Sequence, residues 1–568
     1  MENEKKLCPN SDLPERSRPL PDLTKIFFWG VLFLAFGGGL FLRCAHLDWD
    51  GLRSYHPDEM NLSLAAKRID FPRDLDPRFY SYNGLPIYLS RLTGEILRSF
   101  TGDPRWTEST GSLSYLARWT GALLSSFSLL LFYRLGKWGG GDFGGLGALV
   151  LSAFSPGFIQ TAHYGVTENL LLFEILLITL VTGVLIRSEK PAPLKGWALL
   201  GFLGGLALGT KTTAAVMVLF PWVLLLLRYS KGDSPKHLLR GLLLCAFLGG
   251  VTFLAVSPYS LLRFQEFLRI MRYEGGIVKG TVEVPYTLQF TGTSSLLWIK
   301  NLLWHQGPAI TLLGIPGAAL LTVSMLRRRS SLELLPLLLF SALYALLIWN
   351  WHAKFIRYTL PLAPGLILGA SWLLAVLRRS FPKTGKVLAV LALGSTLFWG
   401  SAVGALYWYP STRTEASEWI HANLPSGSLL LVESWDYHLP ASVPGKNRSF
   451  QFRIIPAPDR DTRQKAEQLA AFLEEGDYLI LASRRNWGNL SKLPEKYPLM
   501  HRYYRALFDG SLGYEETISF ASYPGFGKFR IRDEKAEETF RVFDHPTVRI
   551  FRNRDHTNRS ALLEVLLP

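Results

Sequence analysis

About eleven apolar runs, most of them near the length of a membrane-crossing helix, constrain what this 568-residue chain can fold into. They are Ile26–Leu42, Leu113–Tyr133, Phe143–Ala162, Leu170–Ile186, Leu194–Gly209, Thr212–Leu227, Leu238–Val256, Ala309–Leu326, Leu332–Trp349, Ile356–Leu377 and Val387–Trp408. A spanning helix needs roughly 20 apolar residues, so the pattern predicts a polytopic α-helical membrane protein. The pair around Lys211 is short and equally suits a re-entrant hairpin, which returns to the side it left.

The net charge of +16 would suit a nucleic-acid binder if the charges formed a patch, but they sit in the short loops between spans. One set of loops carries Arg134, Lys137, Arg187, Lys190, Lys195, Arg228, Lys231, Lys236, Arg240, Arg327, Arg328, Arg329, Arg378, Arg379, Lys383 and Lys386 against only Asp142, Glu189, Asp233 and Glu333. Cytoplasmic loops concentrate Lys and Arg, so these loops are expected inside, and no nucleic-acid partner is needed. The other side then receives a long loop at 48–111, the turn His163–Glu168, Lys211, the loop 259–305, the segment 349–358 and the whole tail. Residues 1–24 are polar and mixed in charge, unlike a signal peptide's basic region, and are expected to be a cytoplasmic segment. Cys8, Cys44 and Cys245 lie too far apart for a disulfide framework or a cysteine metal site.

From residue 410 the composition changes. Short apolar stretches at Ser428–Glu433, Tyr478–Ala482, Glu516–Tyr523 and Thr547–Phe551 predict strands. Glu415–Asn423, Thr462–Glu475 and Pro498–Leu507 have helical periodicity. The expected organisation is a membrane domain at 25–409, including the outer loop 48–111, followed by an extracytoplasmic soluble α/β domain at 410–568.

Ionisable groups at membrane ends are costly unless they line a cavity, and the unusual ones gather on the outer side. Tyr55-His56-Pro57-Asp58-Glu59 opens the first outer loop. A helix start explains Pro57 and the two acids; an acid there also suits a general base acting on an acceptor hydroxyl. Burial at a membrane cavity is expected to raise the pKa of Asp58. Glu168 begins an apolar helix beside His163 and Tyr164. Lys211, Lys354 and Arg357 are cations at outer helix ends, where they either snorkel to headgroups or bind phosphate. Trp349, Trp351 and Tyr358 fit an interfacial aromatic belt. The loop around Tyr273-Glu274, Pro285-Tyr286 and Gln289 is positioned to cover the site. Turn formation accounts for the clusters Glu433-Ser434-Trp435-Asp436 and Asp544-His545-Pro546. His305, His352 and His545 have no partner at metal-ligand spacing.

Taken in order, His56-Pro57-Asp58-Glu59, Asn83-Gly84-Leu85-Pro86-Ile87-Tyr88, His163-Tyr164-Gly165-Val166-Thr167-Glu168-Asn169, Gly205–Lys211 and Lys354–Pro361 resemble the GT-C glycosyltransferases. They are similar to the protein O-mannosyltransferase and aminoarabinose-transferase branch, which uses polyprenyl-phosphate sugars. The resemblance covers roughly residues 25–410. It implies a GT-C transmembrane fold and a hexosyl- or pentosyltransferase of a bacterial or archaeal plasma membrane, working at its outer face. The implied partners are membrane lipids, a polyprenyl-phosphate sugar donor as co-substrate, and a protein, glycan or lipid acceptor. It also implies a single inverting displacement, with Asp58 as base, Glu59 as its acidic neighbour and Glu168 in the place of the second acid, usually Asp. His163, Lys211, Lys354, Arg357, Tyr358 and Asn61 are the implied substrate contacts. Members that modify lipid A carry Arg where this chain has Asn61 and Lys where it has Leu85, which argues against that acceptor and moves phosphate binding to Lys354, Arg357 or Lys211. The second acid lacks the DxD of the metal-dependent oligosaccharyltransferases, so no metal ligand is assigned and a divalent ion remains optional. A polytopic lipid or glycan transporter or flippase with an exported sensor domain is the alternative; it would carry its charges near the bilayer midplane. A non-catalytic assembly protein is a third reading, and it would tolerate Asp58→Asn.

Overall fold

A computed structural model describes residues 22–328 and 332–567. Residues 1–21 of the expected N-terminal segment, Cys8 among them, and Arg329 lie outside the described residues.

Nine helices among the described residues are long and apolar enough to cross a membrane. The run Leu113–Tyr133 and the first part of Phe143–Ala162 lie within one of them, Thr110–Ala153, and the rest of the second run forms the short helix Pro156–Ala162. The long helix reverses at Gly141, where φ is +65°. A side chain rarely tolerates that conformation. Another run forms the shorter apolar helix Leu194–Thr210. Helices Pro308–Arg328 and Ala363–Ser380 pack closely through small residues: a Cβ on Gly317 would stand 2.3 Å from the carbonyl oxygen of Gly369. Such contact lets backbones approach where lipid offers no hydrophobic drive for association.

The segments between spans are structured. The stretch 48–111 holds helices Pro57–Arg68 and Gly84–Thr101. The stretch 259–305 holds the amphipathic helix Phe264–Lys279, a 3₁₀ turn Pro285–Phe290 and the helix Leu297–His305.

The C-terminal region is built on a five-stranded sheet: β1 (Leu429–Glu433), β2 (Gln451–Ile455), β3 (Tyr478–Leu481), β4 (Tyr514–Phe520) and β7 (Val548–Asn553), in the order β2-β1-β3-β7-β4. β5 (Gly525–Phe526) and β6 (Phe529–Arg530) make a separate two-stranded ribbon. β1 pairs in parallel with β2 and β3, while β7 runs antiparallel to β3 and β4. Alternation along the strands gives the sheet two apolar faces. Leu431, Leu479 and Phe551 pack with Leu469, Tyr503 and Leu566 of three helices. Leu430, Val432 and Ile550 pack with Ile420 and also with Trp49, Tyr55, Tyr164 and Tyr407, which come from the helical bundle and its loops. The sheet is thus seated on one end of the bundle. β2 was not expected: four of its five residues are exposed, so this edge strand has no apolar run to announce it.

The seam between sheet and bundle is polar as well as aromatic. Asp544 accepts hydrogen bonds from the Tyr407 hydroxyl at 2.8 Å and from Gln160 Nε2 at 3.1 Å. His545 lies buried between Asp544 and Asp533, at 2.5 and 2.6 Å. Burial pushes its imidazolium down, but the two carboxylates outweigh this and raise it to about 9. The Asp544-His545 pair therefore forms this seam in addition to ending a turn.

Candidate active site

A cavity of about 910 Å³ lies between the end of the bundle and the C-terminal region, and Asp58, Asn61, Lys211, Arg357 and Tyr358 all line it. A small recess lined by Glu168 shares Lys211, Arg357 and Tyr358 with it. Six residues singled out in the sequence therefore meet around one space.

Asp58 is held by a helix start. Pro57 takes the first helical position, and the His56 side chain accepts the Asp58 backbone N–H through Nδ1 at 3.2 Å. His56 is pressed against Tyr164 and Phe543, with ring centroids 4.8 and 4.0 Å away. Burial pushes its imidazolium down to about 4, so the ring is neutral and Nδ1 is free to accept. The Asp58 carboxylate meets the Arg357 guanidinium at 3.1 Å. Burial alone would raise Asp58; Arg357, His56, the Tyr82 hydroxyl and Lys211 together hold it below the usual carboxylate range. This reverses the raised pKa expected from the sequence, because membrane-end burial here brings cations with it.

A second ion pair lies beside the first: Lys211 Nζ donates to Glu168 Oε1 at 2.8 Å. Lys211 sits at the break between helix Leu194–Thr210 and the 3₁₀ turn Thr212–Val218. Asn83 braces this break, donating to the Leu208 carbonyl at 2.5 Å and to Thr212 Oγ1 at 3.3 Å. Arg357 opens the 3₁₀ turn Ile356–Leu362, and its Nε has no acceptor among the described residues. A guanidinium with an unmatched donor is suited to an anionic oxygen.

Three singled-out residues do not line the cavity. Glu59, one helical step from Asp58, is fully buried against Arg118, with Nε donating at 2.6 Å; Arg118 also forks onto Asp50 at 2.9 and 2.7 Å. Burial raises Glu59 to about 7 even so. His163 is stacked on Tyr407 with ring centroids 3.6 Å apart, and both its nitrogens lie on backbone carbonyls, Ile159 at 2.8 Å and Ala45 at 2.9 Å. Lys354 is buried, with its ammonium 3.4 Å from the His352 carbonyl.

Several lining residues had no sequence signal of their own. Tyr82 precedes the Asn83 turn. Arg413, Trp435, Asp436, Tyr437 and Arg485 reach the cavity from the C-terminal region; for Trp435 and Asp436 the sequence predicts a turn and nothing more. Glu274 and Tyr286, noticed as part of a covering segment, do line the cavity, carried by a helix and a 3₁₀ turn instead of an irregular loop. Among the described residues no group of three or more His, Cys, Asp or Glu is arranged to hold a metal ion.

The family described as dolichyl-phosphate-mannose-protein mannosyltransferase matches residues 107–258, about a quarter of the chain. No curated protein matches significantly. Among solved structures, the Archaeoglobus fulgidus oligosaccharyltransferase in its apo form is similar at TM-score 0.52 and 14% identity, over 94% of this chain and 89% of that one. The same organism's AglB, in complex with an inhibitory peptide and a dolichol-phosphate, is similar at TM-score 0.51 and 14% identity, over 90% and 75%. ArnT from Cupriavidus metallidurans in the apo state is similar at TM-score 0.51 and 13% identity, over 96% and 100%. At such identities the likeness concerns the fold. The chain has the fold of the GT-C glycosyltransferases and resembles the ArnT and protein O-mannosyltransferase branch.

Proposed function

We propose that this protein is an integral-membrane glycosyltransferase that moves a sugar from a polyprenyl-phosphate carrier to an acceptor hydroxyl. The observation that carries the reading is the Asp58–Arg357 ion pair on the wall of the large cavity, with Lys211–Glu168 beside it. The dolichol-phosphate named with AglB supports a lipid-phosphate donor.

In this mechanism the acceptor oxygen attacks the anomeric carbon as its proton passes to Asp58. The bond from that carbon to the phosphate oxygen breaks, and its electron pair leaves with the lipid phosphate. A phosphate is already a good leaving group and needs cationic stabilisation more than a proton. Arg357 and Lys211 supply it. A single displacement inverts the anomeric centre, as in inverting glycosidases with one base on the acceptor side. The pairing in the structure adds an order of events: when Arg357 turns to the phosphate, Asp58 loses its strongest attractive partner and becomes a better base. Glu168 holds Lys211 in place. The outer face of the membrane is the proposed side, from the cation bias of the opposite loops, and 25–409 and 410–568 are the proposed domains.

The test is transfer of radiolabelled sugar from a panel of polyprenyl-phosphate donors to membrane acceptors by the full chain in nanodiscs. Label transferred by the native chain and lost in a stably folded Asp58→Asn variant supports the proposal. Transfer at the native rate by Asp58→Asn removes Asp58 as the base. If no donor is consumed, transport becomes the better reading.

A further inference from the structure

The C-terminal sheet contributes a specific part of the cavity. The chain runs from β1 to β2 on one flank, then returns through helix Arg463–Glu475 to lay β3 on the other flank of β1. In open α/β sheets such a change of direction leaves a crevice beyond the carboxyl ends of the two strands, and ligands bind there. The segments that leave these two ends, Trp435–Tyr437 after β1 and Arg485 after β3, all line the cavity.

Trp435 has φ +64°, a conformation in which a bulky residue is a genuine outlier. Its neighbours fix it there. The Asp436 carboxylate accepts the Tyr437 N–H at 2.8 Å and the Ser483 hydroxyl at 2.6 Å. Arg485 pairs with Glu538 at 2.8 Å and reaches the Trp435 carbonyl at 3.5 Å. Yet Trp435 is 52% exposed. Strain retained by fixed contacts, for a side chain left open, points to a task for that side chain.

The indole faces Tyr286 at 6.2 Å and 50°, an open V of two rings. Tyr286 lies 6.0 Å from Phe355, whose ring is 4.9 Å from the Arg357 guanidinium that pairs with Asp58. The V and the ion pair share one cavity, with the Phe355 ring between them.

We propose that this V is a subsite for a sugar ring of the acceptor, and that the acceptor is a glycan of at least two sugars. One ring stacks on Trp435 while another presents its hydroxyl to Asp58. The proposal rests on the transferase reading above. Sugar rings offer a C–H face to an aromatic surface and hydroxyls to charged side chains, and Asp436, Arg485 and Arg413 line the same cavity as the indole. Arg413 is 3% exposed, and its Nε has no acceptor among the described residues. A peptide acceptor that bound by adding to a sheet edge would not reach the cavity, because the edge strands β2 and β4 give it no residue.

The experiment uses the full chain in nanodiscs with a labelled polyprenyl-phosphate sugar. Two acceptor fractions are offered: glycans released from cell envelopes, and peptides from the same cells. Label is expected in the glycans. Trp435→Leu and Trp435→Gly are expected to raise the KM for glycan about tenfold, the loss of one aromatic contact, with Trp435→Phe within about threefold of native. Because glycine relieves the strained φ, Trp435→Gly should melt no lower than native. Label confined to peptides, an unchanged KM in Trp435→Leu, or a lowered melting temperature in Trp435→Gly overturns the subsite. If the native chain consumes no donor, the transferase reading fails instead. Saturation-transfer NMR with the glycan fraction then decides the subsite alone: signals lost in Trp435→Leu support it, and equal signals overturn it.

Discussion

Asp58 and Glu59 are neighbours in sequence, yet they belong to two differently built charge clusters. Asp58 meets Arg357 through one contact of 3.1 Å, with the two side chains 19% and 21% exposed. Glu59 and Asp50 close around Arg118 through four hydrogen bonds, with all three side chains at 1% exposure or less. A helix turns by about 100° per residue, so one step is enough to carry a side chain from cavity to core. The open pair has room to exchange partners. The closed cluster has none, and its role is to hold the first turn of helix Pro57–Arg68 against helix Thr110–Ala153.

The largest effect expected from the contrast is on the open side. Asp58→Asn should lower transfer by about 10²–10⁴-fold, the usual weight of a general base, while thermal melting stays native. A matching loss of stability would place Asp58 with the closed cluster. On the closed side, Arg118→Met leaves two buried carboxylates without their cation. It should destabilise the fold by about 3–5 kcal/mol, visible as a lower melting temperature and poor recovery in detergent. A native melting temperature would show that the cluster is not holding the helix.

The seam provides a third case, closed but titratable. His545 has its pKa raised from 6.5 to about 9, so its stabilisation is complete below pH 6.5 and is lost as pH rises through 9. Thermal melting should fall by several degrees between pH 7 and pH 10, and His545→Gln should flatten that fall. An equal fall in both chains would assign it to other groups. The smallest effect expected is that of Tyr407→Phe, which removes one donor from Asp544 and should cost about 1 kcal/mol, measured in the same melting assay.

Features with long periods were legible in the sequence. Apolar runs and basic loops identify the bundle, and an acid and two cations at helix ends lie on one cavity because a membrane allows such groups few other places. What was hidden depends on contacts distant in sequence. Glu59 reads like Asp58 until Arg118, 59 positions later, shows which way it turns. His163 looks like a ligand for a substrate, but both its nitrogens are taken by backbone carbonyls, and no composition signals that. Trp435 looks like a turn residue until its φ and exposure are known. β2 escaped because an edge strand with four exposed residues lacks the alternation by which strands are recognised.

The seam at Asp544 also bears on how the molecule is made. The floor of the cavity is complete in the nascent chain once Arg357 and Tyr358 have been added, whereas Asp544 and His545 follow almost 190 residues later. At about 5–20 residues per second, synthesis leaves an interval on the order of ten to forty seconds. During it the two ion pairs exist without a roof, and Gln160 lacks the carboxylate it will bind. A chain interrupted before Trp435 is made would hold the ion pairs but not the crevice at β1 and β3, and the seam that seats the sheet closes only near the end of translation.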